Sequence, residues 1–288
     1  MLIRAGYRIT LACDAPTPVN VLLNVHPDRA RDLRTPDIVS VTPPTPSRKV
    51  RDGFGNDMIR LLAPAGQTTF SNEFLIHDSG LPDEVAPHAR QVAIDALPHD
   101  ALQYLLPSRY CDSDTLSDLA WANFHAYQGW ARVQAICDFA HETIRFDYQQ
   151  ARADRCASDS VRERVGVCRD FAHLAIALCR AMNIPARYCT GYLGDIGIPP
   201  VPYPMDFSAW FEVFLEGRWF TFDARHNTPR IGRIVMARGR DAADVAITHS
   251  FGSSRLTEFT VMTDEVFEPA QVLHMPRAAE RMRYAAAG

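Results

Sequence analysis

The stretch Gly166-Val167-Cys168-Arg169-Asp170-Phe171-Ala172-His173-Leu174-Ala175-Ile176-Ala177-Leu178-Cys179-Arg180-Ala181-Met182 decides the reading of this chain. Phe171, Leu174, Ala175, Leu178 and Met182 recur at helical spacing, which predicts a helix with one buried face. Asn183 and Pro185 end it. Cys168 falls in the first turn, where unpaired backbone N–H groups and the helix dipole favour an anion. A thiol so placed can have its pKa lowered and act as a nucleophile at neutral pH, although a lone cysteine there is also an ordinary structural residue. Cys179 shares the face of Cys168 but lies about 16 Å along the axis. The two cannot share a metal, and Cys179 reads as core.

Working outward toward the C-terminus, the chain turns to strands. Residues 187–193 form one, and a loop carrying Pro199, Pro200, Pro202 and Pro204 follows. Residues 207–215 and 219–224 then read as a hairpin around Glu216-Gly217. With a two-residue loop, Leu215 faces Arg218 and Trp210 faces Asp223. Ser208 then lies diagonal to Asp223 on the same face, roughly 7–8 Å away. A three-residue loop would put them on opposite faces. A partner between Cys168 and Asp223 is therefore expected at position 208. The Pro-rich loop, residues 194–206, is placed to shape access to such a site. A last β-like run, residues 254–261, precedes a polar, Ala/Arg-rich tail.

Toward the N-terminus, residues 1–85 read as strands: 8–13, 19–25, 58–62 and 68–76, separated by turn signals such as Asp14-Ala15-Pro16 and Gly53-Phe54-Gly55-Asn56. This predicts a small antiparallel sandwich or barrel. Residues 101–106 read as a short helix stopped by Pro107, residues 116–146 as helix-rich, and residues 151–165 as a polar loop.

Composition narrows the chemistry. The 288 residues carry a formal charge of −4, with 47% hydrophobic and 22% charged residues, as in an ordinary globular protein. The mild negative charge argues against a nucleic-acid partner. No stretch approaches a membrane span, and the N-terminus lacks an apolar signal core, so a cytoplasmic protein without membrane contact is expected. Of 30 basic residues, 29 are arginine and one, Lys49, is lysine. P-loop, pyridoxal and kinase chemistry each need a placed lysine, and Lys49 sits in what reads as a charged loop without a matching motif. Seven cysteines, with no Cys-x-x-Cys pair, argue against a disulfide framework or zinc ribbon. No metal or cofactor is expected.

Gly166-Val167-Cys168-Arg169-Asp170-Phe171-Ala172, Gly191-Tyr192, Ala209-Trp210-Phe211-Glu212-Val213 and Phe222-Asp223, in that order, resemble the bacterial transglutaminase-like superfamily. The resemblance is strong over residues 130–230, and the β-rich segment before it looks like the family's N-terminal domain. It implies an α+β fold: an antiparallel β domain (1–85), a papain-like core (86–265) with the Cys-bearing helix packed on an antiparallel sheet, and a tail (266–288). It also implies a Cys-His-Asp triad and acyl chemistry on peptide or amide bonds through a thioester, with a peptide or protein substrate and an amine as a potential acceptor. Cys168 and Asp223 match the pattern. At the family's histidine position this chain has Ser208, in Ser208-Ala209-Trp210.

Three explanations follow. Another histidine supplies the base, with His226 first because Asn227 and Pro229 suggest that the chain folds back there; His173 points elsewhere on its helix, and His249 ranks third. Alternatively, the chain is a catalytically inactive protein that binds peptides or scaffolds partners. Or Ser208 is an engineered substitution. Trp210 and Tyr192 are candidates to line a substrate cleft, with core packing as the competing role. Lysine scarcity argues against a Ser-Lys dyad, since only Lys49 could contribute and it is expected in the other domain.

Overall fold

A computed structural model describes residues 1–201 and 205–267. The tail expected at 266–288 lies outside the described residues from 268 onward, as do Pro202 and Pro204 of the Pro-rich loop. The strands are β1 (Leu2–Cys13), β2 (Thr17–Val21), β3 (Ser40–Thr42), β4 (Ser47–Arg51), β5 (Asp57–Ala63), β6 (Gly66–His77), β7 (Arg145–Phe146), β8 (Val165–Gly166), β9 (Ala186–Tyr192), β10 (Ser208–Leu215), β11 (Arg218–Phe222), β12 (Ile234–Gly239), β13 (Thr248–Ser250) and β14 (Ser254–Val266). The helices are α1 (His99–Leu102), α2 (Ser117–Phe124), α3 (Gly129–Thr143), α4 (Ala157–Glu163) and α5 (Cys168–Ala181).

The expected α+β architecture is present. The N-terminal half is a sandwich of two antiparallel sheets, ordered β14-β1-β6-β3 and β13-β2-β5-β4. Alternation writes this into the sequence: in β5, Ile59, Leu61 and Ala63 point inward while Arg60 and Leu62 face out. Lys49 lies on the exposed edge strand β4, not in a loop, and its ammonium meets Asp57 at 2.7 Å. A charged, lysine-bearing edge resists pairing with other chains.

β14 runs antiparallel to β1 along its whole length, and β13 pairs with β2. Residues 248–250 and 254–266, which the sequence placed at the end of the core domain, thus complete the sandwich. The cause is non-local, because β1 offers an open edge 250 residues away in sequence.

The core sheet is ordered β11-β10-β9-β12, with α5 against one face. The hairpin has the two-residue loop: Leu215 pairs with Arg218 and Phe211 with Phe222. Glu216 and Gly217 take φ of 50° and 84°, the positive pair that a tight hairpin turn demands. Alternate residues Ala209, Phe211, Val213 and Leu215 pack toward the helical core. The helix α5 is buried on all sides from Asp170 to Arg180, not on one face alone, because α2, α3 and α4 cover what the sheet does not. The helix-rich stretch divides at residues 125–128, where Gly129 takes φ of +52° and an added Cβ would sit 2.3 Å from the Ala89 carbonyl. The expected loop at 151–165 contains α4, whose Cys156/Asp159 cap was not recognised. β12 was also missed.

Tyr192, Ile234 and Met236 of the core sheet extend into the sandwich interior and join the two halves through one apolar cluster.

Candidate active site

Cys168 opens α5, and its position is fixed from both sides. Behind it, the buried Asp170 carboxylate accepts the Val167 N–H at 2.8 Å and the Arg155 guanidinium at 3.1 Å. Gly166 is required beside this cap, since a Cβ there would lie 2.7 Å from the Asp170 carboxylate. β8 bridges to β7, which ties the cysteine loop to the Phe146–Tyr148 segment.

Asp223 follows the end of β11 and is almost wholly buried. Its Oδ1 accepts the N–H groups of Arg225 and His226, both at 3.0 Å. Asn227 N–H returns to the Asp223 carbonyl at 2.8 Å, so the chain folds back immediately after the strand. That turn swings the His226 imidazole onto Asp223, with Nδ1 2.8 Å from Oδ2. The same Oδ2 accepts Arg233 Nη2 at 2.8 Å. Burial raises the Asp223 carboxyl, but Arg233 and the hydrogen bonds from His226 outweigh it and hold the group well below the usual carboxylate range. An ionised partner at Nδ1 keeps the proton there and leaves Nε2 as the acceptor.

His226 and Ser208 line one cavity of about 210 Å³, together with Phe146, Tyr148, Asp206 and Arg225. Asp195, Ile198 and Val201 of the Pro-rich loop also line it. The Ser208 hydroxyl is buried without a hydrogen-bond partner among the described residues. The Cys168 thiol feels this cavity's charges: burial pushes it up to about 11, while Arg225 pulls it down and Asp206 pushes it up. Backbone N–H groups of Ala209 and Arg169 also favour its thiolate. The lowered pKa expected from the helix terminus is thus overridden by desolvation.

A thiol titrating near 11 is about one part in a thousand thiolate at pH 8. Iodoacetamide labelling of Cys168 is therefore expected to keep rising from pH 8 to beyond pH 10. Mass spectrometry of the Cys168 peptide against pH checks this, and a plateau reached below pH 8 would contradict it.

Other expectations resolve as follows. Tyr192 is completely buried against Phe74 and Phe207, so it is core and lines no cleft. Trp210 is buried beneath Arg233, whose guanidinium lies 5.0 Å from its ring centroid, and borders a different cavity from His226. His173 is sealed between Tyr110 and Tyr188 and accepts the Ala242 N–H at 3.2 Å. His249 stacks on Phe251 at the sandwich edge. Cys179 is core. Sequence reasoning missed Arg225, Asp206 and Arg233. The available signal was the arginine run after Asp223 (Arg225, Arg230, Arg233), in a chain whose arginine excess masked it. Among the described residues no helix is long and apolar enough to cross a membrane, and no cluster of three His, Cys, Asp or Glu forms a metal site.

A helix headed by a cysteine and packed on an antiparallel sheet, with a histidine–carboxylate pair just beyond the sheet's end, defines the papain-like class. The family model of the transglutaminase-like superfamily matches residues 120–224. The crystal structure of "a Putative Cysteine Protease from Cytophaga hutchinsonii" superposes with a TM-score of 0.77 at 32% identity, covering 93% of each chain. This chain belongs to the transglutaminase-like superfamily. Uncharacterized proteins of Mycobacterium leprae and Mycobacterium tuberculosis are 32% identical over 100 residues and 35% identical over 126 residues. Those matches cover 34% and 39% of this chain, and the chain spans only 36% and 40% of these relatives' lengths.

Proposed function

We propose that the protein is a cysteine-dependent hydrolase or acyltransferase acting on amide bonds, with Cys168 as nucleophile, His226 as general base and Asp223 as its orienting carboxylate. The observation that carries this reading is the His226–Asp223 hydrogen bond of 2.8 Å, beside the cavity lined by Ser208. It supplies from three residues downstream the imidazole that position 208 lacks.

Cys168 Sγ attacks the carbonyl carbon as His226 Nε2 takes the thiol proton. The thiol's raised pKa means that this transfer belongs to the reaction step rather than to a resting ion pair. Asp223 stabilises the imidazolium so formed. The Cys168 N–H, at the free end of α5, is placed to bind the oxyanion. Collapse breaks the C–N bond, and His226 returns the proton to the leaving amine. The thioester is then cleaved by water or by a second amine, which regenerates the thiol.

The Cytophaga relative's description as a cysteine protease supports the amide-bond reading. A second reading, peptide binding without turnover, is favoured by Ser208 at the base position and by the raised thiol. The test is turnover of a peptide anilide library by the wild type and by Cys168→Ala. Turnover by the wild type, with a loss of at least about 10³-fold in the variant, is expected. Equal rates would remove Cys168 from the mechanism, and saturable peptide binding with no turnover by either protein would establish the second reading.

A further inference from the structure

His226 is held by more than Asp223. The turn that carries it, residues 224–227, is bonded to α3 through Gln134, Asp138 and His141. These three are spaced four and then three residues apart, so they share one face of the helix. His141 Nδ1 lies 2.9 Å from the Arg225 carbonyl and 3.3 Å from the Ala224 carbonyl. Carbonyl oxygens only accept, so Nδ1 carries a proton and donates to both. The imidazolium donates from the same atom, so the contact holds in either protonation state. On the other side of His226, Asn227 Oδ1 accepts Gln134 Nε2 at 2.9 Å, and its Nδ2 donates to Asp138 Oδ1 at 2.8 Å. Gln134 Nε2 also donates to Asp138 Oδ1 at 2.9 Å, which closes a ring of three side chains.

Two features set these contacts apart from ordinary packing. Asn227 takes φ of +51°, a left-handed conformation that asparagine adopts more readily than most residues, and its side chain fastens that conformation to the helix. Asp138 and His141 are exposed, where a hydrogen bond adds little to stability. Their effect is geometric. The chain is gripped at residues 224 and 225 before His226 and at residue 227 after it, while Asp223 holds the ring itself.

We infer that Gln134, Asp138, His141 and Asn227 are positioning residues: this face of α3 fixes the turn so that the His226 ring meets Asp223 in one orientation. Their effect on rate rests on the proposed role of His226 as general base. None of the four lines the cavity that His226 and Ser208 share, so each acts on the rate through the base and not through substrate binding.

The test compares three variants of the full chain. His141→Leu removes the donor. His141→Asn keeps an N–H where Nδ1 was. Asn227→Gly keeps the left-handed backbone and loses the side-chain anchor. Misplacing a catalytic group by about 1 Å costs on the order of 100-fold in rate. His141→Leu and Asn227→Gly are therefore expected to lower kcat about 10- to 100-fold, with KM within about threefold of the wild type and Tm within about 3 °C. His141→Asn is expected to recover most of the loss. Long-range proton–nitrogen NMR at about pH 9, where imidazoles are neutral, reads the rings directly, with His226 assigned by its loss in His226→Gln. The wild type is expected to show Nδ1–H tautomers for His141 and His226, and the His141→Leu and Asn227→Gly variants a His226 averaged between tautomers. Unchanged kcat in both of these variants, a fall that His141→Asn does not recover, or an unchanged His226 tautomer in both overturns the inference. Asn227→Gly decides if His141→Leu does not fold. The NMR readout needs no turnover: a wild type that cleaves no amide sinks the amide-bond reading, while the tautomers still support or overturn the positioning.

Discussion

His226→Ala is expected to lower kcat/KM on an amide substrate by about 10³–10⁴-fold, whereas Ser208→Ala lowers it less than about tenfold. The difference follows from what each side chain can do. At neutral pH the serine hydroxyl cannot take a proton from a thiol, and among the described residues Ser208 has no partner that would activate it. His226 is fixed by Asp223 at 2.8 Å and borders the cavity. With the Cys168 thiol raised to about 11, loss of the base leaves only the one-in-a-thousand thiolate near pH 8. The residual rate of His226→Ala should therefore climb about tenfold per pH unit between pH 7 and 10, while the wild type should not show that slope. Measuring both variants across this range checks the assignment. If Ser208→Ala proved the more damaging, the base would have to be sought at position 208 after all.

Glu212→Gln is expected to destabilise the fold by about 3–5 kcal/mol, or roughly 6–20 °C in Tm. Glu212 lies on the face of β10 opposite α5, almost wholly buried, and bonds two arginines, one from the adjacent β9 and one from β12 beyond it: Arg187 Nε at 2.6 Å and Arg238 Nε at 3.0 Å. The amide keeps the shape but removes the charge, which takes from Arg187 its carboxylate and leaves Arg238 with Asp28. Burial raises the Glu212 carboxyl, and the two arginines outweigh it, so the net direction is down from 4.5. A depressed carboxyl contributes stability that is complete above the unfolded pKa and lost as pH falls through the folded one. The gap between wild type and variant should therefore be full above about pH 5 and close progressively below 4.5. Thermal melts at pH 7, 5 and 3.5 measure it. A gap under 1 kcal/mol at pH 7 would mean that the arginines find other acceptors.

Much of the site was legible because its parts are local. The period of residues 171–182 fixes α5, and the Cys168 position at its head follows directly. Glu216-Gly217 fixes the hairpin turn, and the turn fixes which residues share a face with Asp223. Asn227 and Pro229 mark the return of the chain that brings His226 to Asp223, three residues away. Each of these rests on backbone geometry within a few residues, where sequence and structure are nearly the same information.

What required the tertiary structure was everything set by distant chain. Trp210 and Tyr192 could be cleft or core on sequence alone; distant chain decides it, because Tyr192 packs into the sandwich interior and Trp210 is covered by Arg233. The helix terminus argued for a lowered Cys168 pKa, and burial by segments far away in sequence reversed it. The sequence also had no means of pairing 29 arginines with their carboxylates. Arg233 reaches Asp83 across 150 residues and Asp223 across ten, while the guanidinium of Arg230 beside it bonds the Gly194 carbonyl. The sequence by itself determined the helix that Cys168 opens and the hairpin register that sets the face of Asp223, because those depend on periodicity and turns. Only the tertiary structure decided the charge around them, because electrostatic energy depends on through-space distance and burial, to which chain order is no guide.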